Sequence, residues 1–265
     1  MSKIIDLNTT FPSRRYSQEE IVDYLAKTWP EQERRLRSFH QNVKVEERAL
    51  ALPLEKYREL GDFGERSEVW REVSLKLIKE GVERVLDRNG LVPQDISLLV
   101  SNSITGISIP SLEAMLMNKL AFSPQTKRLP IFGLGCLAGV AGINRVHDYL
   151  EGHPEEAVLF LSSELCSLTF QLDDKSVANM ISTGLFADGA AVVLMVGDRH
   201  PLASKKSGLK VLGGQSFFYP DTERTMGWDV RGSGFKIVLS GNVPELVNEN
   251  VPTNVKDFLA PHYLA

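Results

Sequence analysis

The sequence predicts an α/β fold, with helices covering both faces of a central sheet. Three observations predict it. Short apolar runs of strand length recur: DISLLVSNS (95–103), LPIF (129–132), AVLFLSSE (157–164) and GAAVVLMVG (189–197). Stretches with helical spacing separate them. The 265 residues are 43% apolar, enough for a sizeable core and for one or two domains.

Taken in order, SQEEIVDYLAKTWPEQERRLRS (17–38) predicts a helix. Ser17 and Glu20 form a capping-box pattern, and Pro30 marks a break. ERRLR (33–37) within it is a solvated helix face. A second amphipathic helix is predicted over 67–89, with Val73, Leu77, Val82, Val85 and Leu86 near helical spacing and Asn89-Gly90 ending it. After the strand at 95–103, a helix is expected over 110–120 with Pro110 near its first turn. The strand at 129–132 leads into a helix over 137–150. EGHPEE turns the chain into the buried strand at 157–164, and Asp188-Gly189 reads as a turn entering the strand at 189–197. DRHPLASKKSG (198–208) is the best domain boundary, giving units 1–200 and 201–265. Strands are expected in GLKVLGGQSFFY and GFKIVLS, then a helix from about 244 to 259. The second α/β unit is thus begun and not completed by residue 265.

Composition excludes several classes. Thirty basic and 34 acidic residues give a net charge of −4 with no basic block, which argues against nucleic acid as partner. No run approaches the length of a membrane span, and the start lacks the apolar core of a secretory signal. Two cysteines, Cys136 and Cys166, point to a reducing cytoplasm. Without C-x-x-C spacing they carry no zinc signal, and no metal is expected.

Cys136 stands among Gly133, Gly135 and Gly139, where a strand-like run gives way to a helical pattern. A cysteine is commonly a small buried hydrophobe. At a helix N-terminus, however, unpaired N–H groups and the dipole favour the thiolate. Small neighbours admit a substrate and leave backbone donors for an oxyanion. The same residues, Gly133-Leu-Gly135-Cys-Leu-Ala138, also match the dinucleotide-binding fingerprint, with Glu164 ending the next strand where a ribose-binding acid is wanted. That pattern is short and lies mid-chain. Cys166, thirty residues on, follows a strand's carboxyl end, where ligands of α/β sheets gather; packing is an equal reading. A disulfide with Cys136 requires suitable geometry and oxidation. Trp29 and Trp70 read as core, and Trp228 shows no spacing of a binding platform.

Several segments together resemble the type III polyketide synthases, the chalcone and stilbene synthase family of the thiolase superfamily, in their bacterial form. KRLPIFGLGCLAGVAGI is similar to the segment around that family's nucleophilic cysteine. SITGISIP (103–110), LSSELCSLTF (161–170), LFADGAAVVLMVGD (185–198) and GFKIVLSGNVPELVNENV (234–251) follow in order with matching spacing, so the resemblance runs from about Arg14 to Val251. It implies a thiolase-like layered α/β/α fold, its first half complete and its second only begun.

The resemblance also implies roles. Cys136 would be the nucleophile. Thr105, Glu164, Cys166 and Thr169 would line the cavity. Ile109 would reach across a homodimer interface into the partner's cavity. Ile237 and Val211 fall where plant relatives carry gatekeeping phenylalanines; aliphatic residues there imply a different starter. Arg48, with Lys44, falls near the basic coenzyme A contacts. The substrates would be acyl-coenzyme A and malonyl-coenzyme A, joined by decarboxylative Claisen condensation, with no resident cofactor.

One departure is large. The family places a histidine and an asparagine beside the cysteine, and neither segment occurs here. The histidines are His40, His147, His153, His200 and His262. His147 is eleven residues along the helix from Cys136, about 16 Å at 1.5 Å per residue. His153 reads as solvated, His40 and His200 as surface residues, and His262 lacks the family's surrounding motif. Residues 1–265 are therefore expected to fall short of full turnover. Two other readings stay open: an NAD(P)-dependent oxidoreductase built on Gly133 and Gly135, and a non-catalytic truncated remnant.

Overall fold

The computed structural model describes residues 1–263, with side chains through residue 260. The chain opens on a strand, β1 (Ser2–Thr10), that sequence patterning does not announce. Its burial follows from lying between two other strands rather than from a hydrophobic period of its own. β2 (Arg14–Ser17) pairs antiparallel with β3 (Glu47–Leu50). Between them the expected helical stretch is split into α1 (Gln18–Thr28) and α2 (Glu33–Asn42) by a 3-10 turn at Pro30. Proline has no N–H with which to continue the helix. Ser17 and Glu20 form the full reciprocal capping box.

The long helix α3 (Phe63–Asn89) starts earlier than its apolar periodicity indicates, because the Asp62 side chain caps it by accepting the Glu65 N–H. It ends at Gly90, whose φ of 64° is the left-handed cap conformation. β4 (Ile96–Asn102) leads to α4 (Leu112–Met117), a shorter helix than expected. Pro110 precedes its N-cap Ser111 rather than sitting in its first turn. There follow β5 (Lys127–Ile131), α5 (Ala138–Gly152), β6 (Ala157–Leu165), α6 (Val177–Leu185) and β7 (Asp188–Gly197). α6 has no counterpart in the sequence reading; Ser176 caps it. The remainder is α7 (Pro201–Lys205), β8 (Leu209–Val211), the hairpin β9 (Met226–Arg231) and β10 (Gly234–Leu239), and α8 (Val243–Tyr263).

The central sheet has the order β5-β4-β6-β7-β1-β8. β5, β4 and β6 are parallel, while β7, β1 and β8 join antiparallel. Alternate residues of the buried strands feed two cores. Leu99, Leu159, Leu161, Val192 and Leu194 pack with Leu77, Ile78, Val82 and Val85 of α3. Leu98, Val100, Val158, Phe160 and Met195 pack with Val146 and Leu150 of α5. The period of two thus distributes side chains between the two helix layers. Gly142 lets α5 lie against the Phe160 ring, where an added Cβ would come within 2.3 Å.

The sheet does not stop at the expected boundary. β8 lies beyond residue 200 yet pairs with β1, so a division between 200 and 201 cuts the sheet. The hairpin β9–β10 forms a separate two-stranded sheet.

Candidate active site

Parallel strands β4, β5 and β6 end on one side, and the segments leaving them build a cavity of about 370 Å³. From the loop after β4 come Ile104 and Thr105; from the β5–α5 corner Leu134, Gly135, Cys136 and Leu137. The end of β6 supplies Glu164 and Cys166, α6 ends on Phe186, and the hairpin contributes Met226, Gly227, Trp228 and Ile237. Of the residues expected at the site, Cys136, Thr105, Glu164, Cys166 and Ile237 therefore share one cavity.

The corner is made by backbone geometry. Gly133 and Gly135 have φ of +89° and +61°, in the region that side-chain-bearing residues disfavour. No atom lies within 4 Å of where their Cβ would be, so conformation rather than space requires glycine there. Cys136 sits in a 3-10 turn, Gly135–Leu137, leading into α5, and is solvent-exposed.

The expectation of a stabilised thiolate is corrected. Partial burial against the apolar lining raises the Cys136 thiol, and the Glu164 carboxylate adds to the rise. The residue's own backbone N–H opposes this and is outweighed.

Glu164 is held by a set of donors. Thr105 Oγ1 donates to it at 2.8 Å and the Ile104 N–H at 3.1 and 3.2 Å to its two oxygens. Ser103 Oγ and Asn102 Nδ2 stand at 3.4 Å. Burial nevertheless dominates and lifts Glu164 to about 7. Thr105 Oγ1 in turn accepts the Leu165 N–H, which ties the loop to β6. Cys166 is raised well above the ordinary thiol range by burial, then by Asp188, Glu164 and Cys136.

Other expected residues fall elsewhere. Thr169 is buried and turns its hydroxyl back to donate to the Cys166 carbonyl at 2.7 Å, bracing the turn that carries Cys166 rather than lining the cavity. Val211 lies on edge strand β8 opposite Ser2 and packs toward the α5 layer, so it cannot guard this cavity. Arg48 is buried, its guanidinium donating to the Phe186 carbonyl and to Gln18 Oε1, and so is unavailable to coenzyme A. Lys44 is exposed in the turn between α2 and β3, with φ 56°, and takes no part in the lining. Ile109 is 96% exposed on the loop after β4.

The histidines serve structure. His40 is buried beside Thr183, not at the surface as expected, and burial lowers it to about 4. His147 meets Ser2 Oγ at 2.9 Å, His153 stacks on Tyr149, and His200 caps α7. The side chain of His262 lies outside the described residues. Among the described residues, no histidine lines the cavity and no group of three or more His, Cys, Asp or Glu side chains could hold a metal ion. Nor is any described helix long and apolar enough to cross a membrane.

Sequence reading missed Ile104, Leu134, Leu137, Phe186, Met226 and Trp228. For Trp228 a signal existed. GSG between WDVR and FKIV marks a hairpin, and Trp228 pairs directly opposite Ile237, so both face one side. Its indole Nε1 is buried without an acceptor among the described residues.

With this geometry in hand, comparison with known proteins is specific. Residues 60–212 match the profile of the family described as FAE1/Type III polyketide synthase-like protein. The chain is 40% identical to a 1,3,6,8-tetrahydroxynaphthalene synthase of Streptomyces peucetius subsp. caesius, over 99% of this chain and 70% of the relative. It is 30% identical to a phloroglucinol synthase of Pseudomonas fluorescens, over 95% of this chain and 71% of the relative. The crystal structure of 1,3,6,8-tetrahydroxynaphthalene synthase from Streptomyces coelicolor A3(2) superposes with a TM-score of 0.91 at 29% identity, covering 99% of this chain and 74% of that one.

The class is therefore an α/β protein with the thiolase-like layered fold of these synthases. The chain belongs to the type III polyketide synthase family, a family of enzymes. The dinucleotide reading is not favoured: the acid it needs, Glu164, spends its oxygens on Thr105, Ile104 and Ser103, and the glycine corner presents a cysteine to an apolar cavity.

Proposed function

We propose that Cys136 accepts an acyl group from coenzyme A and that the acyl chain then occupies the cavity bounded by Ile237, Trp228, Phe186 and Cys166. The observation that carries this reading is an exposed cysteine at a glycine-shaped corner, opening on an apolar cavity, in a chain of this family. The sulfur attacks the thioester carbonyl and the coenzyme A thiolate leaves. Malonyl-coenzyme A then loses CO₂; the resulting enolate carbon attacks the acyl carbonyl and releases the Cys136 thiolate. Covalent capture divides one hard step into two easier ones. Acyl-coenzyme A and malonyl-coenzyme A are substrates, and the cycle needs no resident cofactor.

Two requirements limit what residues 1–265 do alone. The thiol must lose its proton, which burial and Glu164 oppose. The enolate oxygen needs fixed donors, each commonly contributing about 2.7–4 kcal/mol. No described histidine is at the cavity to meet either need. The expected result is slow acyl loading without malonyl-coenzyme A decarboxylation. Sustained CO₂ release by residues 1–265 would contradict this limit, and absence of any loading would favour the non-catalytic reading.

Homodimerisation is part of the same reading. β5 is an edge strand with Lys127 to Pro130 exposed, and Ile107, Ile109, Phe132 and Val140 are exposed beside it. Unpaired edges and apolar surface of this kind favour pairing with a second chain. The two unpaired thiols suit a reducing cytoplasm.

A further inference from the structure

Behind the cavity lies a buried polar cluster that the acyl-transfer reading leaves without a role. Asp188, the first residue of β7, is buried. Its Oδ1 accepts the Ser167 N–H at 2.8 Å, and its Oδ2 accepts the Ser167 hydroxyl at 2.5 Å and the Ala51 N–H at 2.6 Å. Because the Ser167 hydroxyl donates to Asp188, Tyr57 Oη donates to Ser167 Oγ at 2.6 Å, and Tyr57 in turn accepts the Leu52 N–H. Three segments, β7, residues 51–52 and the turn carrying Tyr57, thus converge on the residue that follows Cys166.

Arg48 does the same for the opposite wall. Its Nη1 donates to the Phe186 carbonyl and its Nη2 to Gln18 Oε1, both at 2.8 Å, while Gln18 Nε2 donates to the Gly184 carbonyl at 2.9 Å. The carbonyl of the α6 C-cap, Phe186, therefore ends on a cation, the arrangement that suits a helix C-terminus, while that of Gly184 ends on the Gln18 amide. Phe186 leaves that terminus into the cavity. Arg48 and Asp188 also attract one another within the cluster.

We propose that Arg48, Asp188 and Ser167 are positioning residues for the cavity, with Asp188 holding Cys166 through Ser167 and Arg48 holding Phe186 through its carbonyl. Resting on the acyl-transfer reading, this assigns the cluster to acyl-group selectivity: the two lining residues it anchors bound the space beside Cys136. None of Arg48, Asp188 and Ser167 lines the cavity itself.

The test uses the whole chain and N-ethylmaleimide, with each cysteine's labelling followed by peptide mass. The native Ser167 turn shields Cys166 while Cys136 labels. Ser167→Ala removes the acceptor of the buried Tyr57 hydroxyl and one of the two donors to Asp188 Oδ2, and Cys166 labelling should rise about tenfold. Ser167→Thr, which keeps the hydroxyl, should restore the native rate. Cys136 should label within about twofold of the native rate in both variants, since only the turn is loosened. An unchanged Cys166 rate in Ser167→Ala overturns the proposal, as does an equal rise at both cysteines, which means general opening. Labelling needs no thioester, so failure of acyl loading with this pattern intact counts against the acyl-transfer reading and not against the positioning role.

Discussion

The Glu164 carboxylate, lifted to about 7 by burial, shares a cavity with a thiol whose ionisation it opposes. Removing that charge lowers the thiol back toward its ordinary range. Glu164→Gln should shift the pH profile of iodoacetamide labelling at Cys136 to lower pH and raise the neutral-pH rate severalfold; an unmoved profile would show that burial alone sets the thiol. Stability carries a second signature. Glu164 and Asp188 both titrate higher folded than unfolded, Asp188 at about 6, so the folded state binds more protons between their ordinary values and pH 6–7. Their contribution is present at acid pH and is lost as pH rises through 6 and 7. His40, lowered to about 4, acts in the opposite sense up to its ordinary value near 6.5, so urea midpoints should fall between pH ~6.5 and ~8, and fall less steeply in Glu164→Gln. Sequence reading reached Cys136 and Glu164 because the resemblance carries residue types at positions. It misplaced Arg48, since a buried guanidinium bound to a carbonyl and a surface one awaiting phosphate look alike in sequence.

The β5–α5 corner depends on two glycines for conformation and on another for nothing steric. Gly135→Ala forces a side chain into φ +61°, at a cost of about 1–2 kcal/mol. Gly139, inside α5 with no atom within 4 Å of an added Cβ, should instead gain up to about 1 kcal/mol as alanine. Opposite shifts in the urea midpoint of the two variants are the expected result; a shared sign would mean that the corner is not held as described. Deleting the Ser17 hydroxyl with Ser17→Ala should cost about 1 kcal/mol through loss of the α1 capping box. Elements with strong periodicity or caps, such as α1, α3 and β6, were legible. β1 and α6 were not: β1 takes its burial from β7 and β8, and α6 is short and set by Ser176 and its packing.

At the scale of the molecule, the sheet unites the corner, the end of β6 and the loop after β4 on one side, which is why residues 60 positions apart hydrogen-bond at one carboxylate. The layered α/β class was legible from alternation of strand and helix runs. The sheet's antiparallel half was not, because pairing of β1 with β7 and β8 joins segments far apart in sequence, and that same pairing displaced Val211 from the cavity. The exposed β5 edge gives a further expectation from the proposed homodimer: the native chain should sediment as a dimer, and Leu129→Glu with Val140→Glu as a monomer. A native monomer would remove the interface.

The sulfur at the cavity mouth is tested most directly by incubating the whole chain with an acyl-coenzyme A and mapping the adduct by mass. One acyl group on Cys136, absent in Cys136→Ala, is the expected result. Acyl groups on Cys166, or loading that survives in Cys136→Ala, would contradict the assignment of the nucleophile.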